Sequence, residues 1–275
     1  MTETKLESLG PLELLGKKIN QIAASAGKQI LEIYNTDFSV EDKDDKSPLT
    51  AADMASHETI IAGLLGISED IPVLSEESSS IDWEDRKQWN TYWLVDPLDG
   101  TREFIKKNGE FTVNIALIHE HRPVLGSVYV PATGVCYSGI RGAGAFREDQ
   151  QGPVAIHTRK TREDRLAVAG SRSHGSEAQE AFMQRLGNAE TMAIGSSLKF
   201  CLVAEGKVDI YPRFGPTSEW DTAAAHCVVE QAGGLVTDTQ LDPLLYNNKE
   251  SILNPHFLVI GDPEFDWRPY LKGLV

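Results

Sequence analysis

Hydrophobic positions in the first part of the chain fall at helical spacing. Leu15, Ile19, Ile22, Ala26, Ile30 and Ile33 recur in steps of three and four, which predicts an amphipathic helix from Leu12 to Ile33 that ends near Asn35. A charged loop, Glu41 to Lys46, follows. Ser47-Pro48-Leu49-Thr50 then opens a second helix running to about Leu65, in which Thr50 at the N-cap and Asp53 three residues on resemble a capping box. Two short apolar runs, Pro72–Ser75 and Tyr92–Val95, read as strands that stop at acids, the first at Glu76-Glu77 and the second at Asp96-Pro97.

From Phe111 to Phe146 the period shortens. Phe111–Ile118, Val124–Val130 and Val135–Ile140 are β-rich runs divided by turns, one holding His121-Arg122-Pro123. They predict an antiparallel meander, broken at Gly142 and Gly144. The polar stretch from Glu148 to Asp164 is where the chain divides most naturally, giving an N-terminal α+β half over residues 1–160 and a C-terminal α/β half over 161–275. The second half is expected to hold a strand at Leu166–Ala169 and helices around Glu177–Leu186, Ser197–Ala204 and Asp221–Ala232, the last stopped by Gly233-Gly234. The pattern as a whole predicts layers of helix and sheet, α+β joined to α/β.

Composition narrows the class. With 275 residues, 41% hydrophobic and 24% charged, the chain can bury a substantial core, and disorder is not the expectation. No run of about 18 apolar residues predicts a membrane span. The polar opening MTETKLESLG lacks the basic and apolar regions of a signal peptide. Cys136, Cys201 and Cys227 are widely spaced with no CxxC, so reduced, mostly buried thiols are expected in place of a disulfide frame or a zinc site. Together these features predict a cytoplasmic protein, monomer or homodimer, with peripheral attachment to a membrane surface left open. The net charge of −15 argues against a nucleic-acid polymer as partner, because phosphate backbones are gripped by basic surfaces. A small anionic substrate stays compatible, since bound divalent cations invert the local sign of an acidic pocket.

The segment Asp96-Pro97-Leu98-Asp99-Gly100-Thr101 carries the most chemistry. Asp96 and Asp99 flank the Leu98 carbonyl at a strand end, and hard cations such as Mg²⁺ take oxygen ligands of both kinds. Gly100-Thr101-Arg102 would open a helix whose free N–H groups face a phosphate. Each acidic position also has a plainer reading. Asp-Pro-x-Asp-Gly is a good turn sequence, Ser75-Glu76-Glu77 suits a solvated loop, Thr50 and Asp53 suit a helix cap, and Asp221 after Trp220 suits a helix dipole. What favours chemistry is that all of them fall where strands end or helices begin.

In TAAD at 50–53, SEE at 75–77, DPLDGT at 96–101 and WDTAAAHCVVEQAGG at 220–234, the chain resembles the metal-dependent, lithium-sensitive superfamily of inositol monophosphatases and bisphosphate nucleotidases. The resemblance spans at least Pro48 to Gly234. Arg102-Glu103-Phe104-Ile105, Asn108–Asn114, Gly195–Cys201 and Asp209–Arg213 are similar to the CysQ-type bacterial 3′(2′),5′-bisphosphate nucleotidase branch. The Asn-Phe pair usual after DGT in inositol monophosphatases is absent, as is the Ser-Ser pair of fructose bisphosphatases.

The resemblance implies a layered αβαβα sandwich and hydrolysis of 3′-phosphoadenosine 5′-phosphate to AMP and phosphate with two or three Mg²⁺ ions. It implies Glu76, Asp96, the Leu98 carbonyl, Asp99 and Asp221 as metal ligands, and Gly100 and Thr101 as donors to the scissile phosphate. Asp53 would join the metal-water network and Thr101 would orient an attacking water, with no phosphoenzyme. Lys199 and Arg213 are candidates for the second phosphate and Ser197 for a polar contact, although Lys199 on a helix also suits a solvated surface charge. His174, after Ser171-Arg172-Ser173, is a weaker candidate for facing the nucleotide. The alternatives are a sugar or inositol phosphatase of the same fold, a nucleotide- or metal-sensing module without turnover, and a two-metal exonuclease, which the charge disfavours.

Overall fold

The computed structural model describes residues 5–36, 48–78, 80–170 and 177–273. Seven strands lie side by side in sequence order: β1 (Val73–Ser75), β2 (Thr91–Asp99), β3 (Thr112–His119), β4 (Arg122–Val130), β5 (Val135–Ile140), β6 (Gly144–Asp149) and β7 (Gly152–Ala155). Only β1 and β2 pair in parallel; the rest is an antiparallel meander. A second, mixed sheet has the order β11-β12-β10-β8-β9. It is built from β8 (Ala167–Gly170), β9 (Glu190–Ala193), β10 (Ile210–Arg213), β11 (Leu235–Asp238) and β12 (Phe257–Ile260). Here β8, β9 and β10 run parallel, while β12 runs antiparallel to both its neighbours.

The helices fill the spaces these sheets leave. In chain order they are α1 (Lys5–Ser8), α2 (Leu12–Tyr34), α3 (Pro48–Leu65), α4 (Trp83–Arg86), α5 (Thr101–Ile105), α6 (Glu177–Leu186), α7 (Leu198–Ala204), α8 (Ala223–Gln231) and α9 (Arg268–Leu271). Leu15, Ile19, Ala26 and Ile30 of α2 and Ile60 and Leu64 of α3 pack with Trp93, Val95, Ile115 and Leu117 on one face of the first sheet. The alternate side chains, Tyr92, Leu94, Ala116 and Ile118, face α7 and α8 and, beyond them, Tyr211, Val236 and Phe257 of the second sheet. Phe182, Leu186 and Leu271 of α6 and α9 cover the far face of that sheet. The result is five layers, αβαβα. Both faces of the first sheet are covered, so β2 is buried continuously from Thr91 to Leu98 and its sequence shows an apolar run with little alternation.

Two glycines bring α8 unusually close to the first sheet. A Cβ on Gly126 of β4 would overlap the Ala224 carbonyl, and one on Gly139 of β5 would lie 2.5 Å from the Cys227 carbonyl oxygen. The three cysteines are free and buried.

Several expectations need correction. β2 does not stop at Asp96-Pro97; it runs on to Asp99 through a register shift between Asp96 and Asp99, which accommodates a proline that has no N–H for the ladder. Helix α3 begins at Pro48, a residue preorganised for the first helical position, so Thr50 lies inside the helix and not at its N-cap. The meander carries two further strands, and β7 lies within the polar stretch that reads as a boundary. The Glu41–Lys46 loop, Ser47 and the Ser171–His174 stretch lie outside the described residues.

Candidate active site

Parallel pairing places the acids. Ser75 of β1 sits opposite Val95 of β2, so Glu76 and Asp96 follow side by side at the ends of neighbouring strands. Helix α3 lies over this end, tied down by Ser56 Oγ, which donates to the Pro97 carbonyl at 2.7 Å, and Asp53 of that helix faces Glu76 and Glu77. Helix α8, drawn in by Gly126 and Gly139, delivers Asp221 from the second half of the chain. Carboxylate oxygens of Glu76, Asp96 and Asp221 all lie within 4.8 Å of one another. Oxygens sharing one hard cation at about 2.0–2.6 Å fall in this range of mutual separation.

Electrostatics fit the same reading. Burial pushes the Asp96 carboxyl far above the usual range, and the neighbouring Asp99, Glu76, Asp221 and Asp53 push it further. Asp221 is pushed up to about 7 by burial and then by Asp99. Asp53 is pushed up to about 8 by burial, then by Glu77 and Glu76. Burial likewise raises Glu76, against a lowering contribution from its hydrogen bond with Asp96. Buried carboxylates that repel one another are stable as anions only with positive charge among them. An all-oxygen donor set with this charge fits divalent cations of the Mg²⁺ type.

Asp99 has other partners in this structure. Its Oδ2 accepts from Ser196 Oγ at 2.5 Å, Ser197 N at 2.7 Å and Ser197 Oγ at 2.9 Å, and it is not part of the Glu76–Asp96–Asp221 trio. Ser197 Oγ also lies 2.8 Å from the Asp221 carbonyl and accepts from Asn114 Nδ2 at 3.0 Å, so Ser197 links Asp99 to the backbone of Asp221. Ser196 sits in the left-handed region, φ 53°, unusual for a residue with a side chain. The Leu98 peptide curls back on Asp96, its N–H donating to Asp96 Oδ1 at 3.0 Å. Gly100, φ 95°, makes the turn into α5, and Thr101 is the exposed first residue of that short helix.

A cavity of about 510 Å³ begins at Asp99, Gly100 and Asp221 and extends along the carboxyl ends of the second sheet's parallel strands. Ser197, Lys199 and Arg213 line it, so these three expected positions are brought together. Lys199 is not a solvated surface charge. It is only 8% exposed, because α7 is sandwiched between the two sheets and buried along its length. Its Nζ donates to the Ser196 carbonyl at 2.6 Å and the Ile194 carbonyl at 3.4 Å and stands 5.4 Å from the Tyr211 ring centre. Burial lowers its pKa to about 8, with Asp99 opposing. Arg213 donates from Nε to Thr217 Oγ1 at 2.7 Å and from Nη2 to the Pro216 carbonyl at 2.9 Å.

Lining residues that the sequence reading did not single out include Glu103, Ser196, Phe214 and Thr217. The Gly215-Pro216 turn after Arg213 was the one available signal for the last two.

A profile of the inositol monophosphatase family matches residues 13–262. The chain belongs to the inositol monophosphatase family. It is 50% identical over 244 residues to the 3′(2′),5′-bisphosphate nucleotidase CysQ of Escherichia coli K12, covering 88% of this chain and 98% of that one. The CysQ of Haemophilus influenzae is 37% identical over 258 residues, covering 93% and 96%. Among solved structures, CysQ from Bacteroides thetaiotaomicron, a bacterial member of the family, superposes with a TM-score of 0.82 at 42% identity, covering 93% of this chain and 100% of that one. An inositol monophosphatase from Zymomonas mobilis, TM-score 0.80 at 24% identity over 96% of this chain and 99% of that one, shares the fold. This member of the family is an enzyme of the phosphatase class. No helix among its described residues is long and apolar enough to cross a membrane.

Proposed function

We propose that this phosphatase hydrolyses the 3′-phosphate of 3′-phosphoadenosine 5′-phosphate, releasing AMP and inorganic phosphate, with Mg²⁺ held in the carboxylate cluster. The observation that carries the reading is one continuous site. Asp221 belongs to the acid trio and also lines the cavity that holds Lys199 and Arg213. The identity with CysQ nucleotidases supports the choice of substrate.

Glu76, Asp96, the Leu98 carbonyl, Asp99 and Asp221 would hold two or three divalent ions. Such ions neutralise a phosphate dianion and make a water acidic enough to attack it. Asp53, beside Glu76, and the Thr101 hydroxyl orient that water, and the N–H groups of Gly100 and Thr101 donate to phosphoryl oxygens. The water oxygen bonds to phosphorus as the bond from phosphorus to O3′ breaks. O3′ leaves with the bonding pair and takes up the proton that the water gives up, with no phosphoenzyme. Lys199 and Arg213 receive the second phosphate, Arg213 by exchanging its bonds to Thr217 and Pro216 for charge-assisted ones, and Ser197 holds the wall between them and the acids. The enzyme acts on a small nucleotide in the cytoplasm or at a membrane's cytoplasmic face, as a monomer or homodimer.

Phosphate release from 3′-phosphoadenosine 5′-phosphate and from inositol 1-phosphate, each with Mg²⁺ and with excess chelator, tests the reading. Metal-dependent preference for the nucleotide is expected. Preference for inositol phosphate would overturn the specificity, and nucleotide binding without release would turn the chain into a sensing module.

A further inference from the structure

The turn that carries Asp221 is clamped from behind by a strand-like strap that none of the catalytic assignments uses. Residues 252–254 run antiparallel to it, with Ser218 bridged to Leu253 and Glu219 N–H donating to the Ile252 carbonyl at 2.9 Å. Asn254 contributes three bonds. Its backbone N–H donates to the Thr217 carbonyl at 2.9 Å, and its side-chain amide donates to the Ser218 carbonyl at 2.9 Å and to Thr222 Oγ1 at 3.1 Å. An amide nitrogen has two protons, so both are spent on this one turn.

Those bonds bear on Asp221 directly. The Ser218 N–H donates to Asp221 Oδ2 at 2.9 Å, and the peptide it belongs to is the one whose carbonyl, at Thr217, accepts from Asn254. The backbone of Asn254 therefore fixes the peptide that aims the carboxylate, and its side chain, the part a substitution removes, pins the same turn at Ser218 and Thr222. The segment leading into the strap is tied to the same turn. Glu219 Oε2 accepts from Asn247 N–H at 2.8 Å, and the buried Arg86 of α4 exchanges side-chain and carbonyl bonds with Asn247 at 2.7 and 2.6 Å. Restraint is needed because Asp221 stands among carboxylates that repel it. A turn free to relax would let it withdraw from Glu76 and Asp96. On the pocket side the same turn is held by Arg213, through bonds that substrate would take over.

We infer that Asn254 is a positioning residue for Asp221, setting how tightly the acid trio binds a divalent cation. This rests on the metal-phosphatase reading above. The test titrates Mg²⁺ into substrate-free protein and reads the midpoint of the rise in Tm, for wild type, Asn254→Leu, Asn254→Ser and Val236→Ala. Val236, in the core on β11, supplies a loss of stability with the turn intact. The expected midpoint for Asn254→Leu is about 10- to 100-fold higher than wild type, the usual cost of losing a partner that orients a ligand. Asn254→Ser, which keeps one donor, should fall between, and Val236→Ala should lower the starting Tm with an unchanged midpoint. Midpoints for both Asn254 variants within twofold of wild type would overturn the inference while leaving the metal reading standing. No Mg²⁺ response in wild type would overturn the metal reading, and this inference with it.

Discussion

Asp96 and Asp209 are equally buried, each 1% exposed, and they live in opposite circumstances. Asp209 accepts two parallel bonds from Arg159, both at 2.8 Å, and a third from the Ala167 N–H at 2.7 Å. It immediately precedes β10 and, through Arg159, ties the 156–166 connection to the second sheet. Asp96 is surrounded by Asp99, Glu76, Asp221 and Asp53, all of the same sign, and each raises its pKa. A buried acid paired within the protein serves the fold. One crowded with other acids costs the fold stability and persists because something from outside completes it.

Substitution at each aspartate should separate these roles. Asp96→Asn removes a charge from the cluster with little change of shape. It should lower turnover by at least about 10³-fold, the loss of several kcal/mol of metal-borne stabilisation, while the metal-free protein melts no lower than wild type. Phosphate-release assays and thermal melts read the two effects. Asp209→Ala should do the reverse. It costs about 3 kcal/mol, the low end for breaking a buried pair because Arg159 is partly in water, and leaves turnover per folded molecule unchanged, as urea midpoints and active-site titration would reveal. A Tm drop in Asp96→Asn equal to that in Asp209→Ala would erase the distinction.

A smaller effect is expected on the cationic side of the pocket. Arg213→Ala should raise KM for the nucleotide about 10- to 100-fold, the worth of a charge-assisted contact, with kcat falling less. Lys199→Ala should raise KM and also lower Tm, because Lys199 is buried and holds the Ile194 and Ser196 carbonyls. Steady-state kinetics at saturating metal check both, and an unchanged KM in both variants would remove these residues from substrate binding.

The smallest effect expected is on stability against pH. Unfolded aspartates titrate near 3.8, whereas in the folded state Asp221 titrates at about 7 and Asp53 at about 8. Between those values the folded chain keeps protons that the unfolded chain has lost, so stability falls as pH rises. The contribution is fully present below 3.8 and gone above about 8. Melts in chelator should therefore drop from pH 5 to pH 8.5, and Mg²⁺ should remove most of that drop. A chelated protein that gained stability across this range through these groups would contradict the electrostatic picture.

Much of this arrangement was legible because it is local. The stripe in α2, the two strands ending in acids and the Gly100 turn each follow from residues near in sequence. The acids of the cluster could be picked out for the same reason, since each closes a strand or begins or lines a helix. What failed depended on distance or on backbone detail. Thr50 was misread because Pro48 sets the helix start. Lys199 carries two readings in the sequence, pocket cation or solvated charge, because nothing in its neighbours reveals that α7 lies between two sheets. Strand β9 carries no alternation, being exposed at all four positions. Asn254 lies 33 residues beyond Asp221 in a segment with no periodicity, and only the fold brings it behind the Ser218 turn.

Calorimetric titration of Mg²⁺ into wild type, Asp96→Asn and Asp209→Asn at pH 8 tests most directly whether the crowded acids exist for a cation. Saturable binding is expected in wild type and in folded Asp209→Asn, and its loss in Asp96→Asn. Binding by Asp96→Asn as tight as wild type would contradict the account.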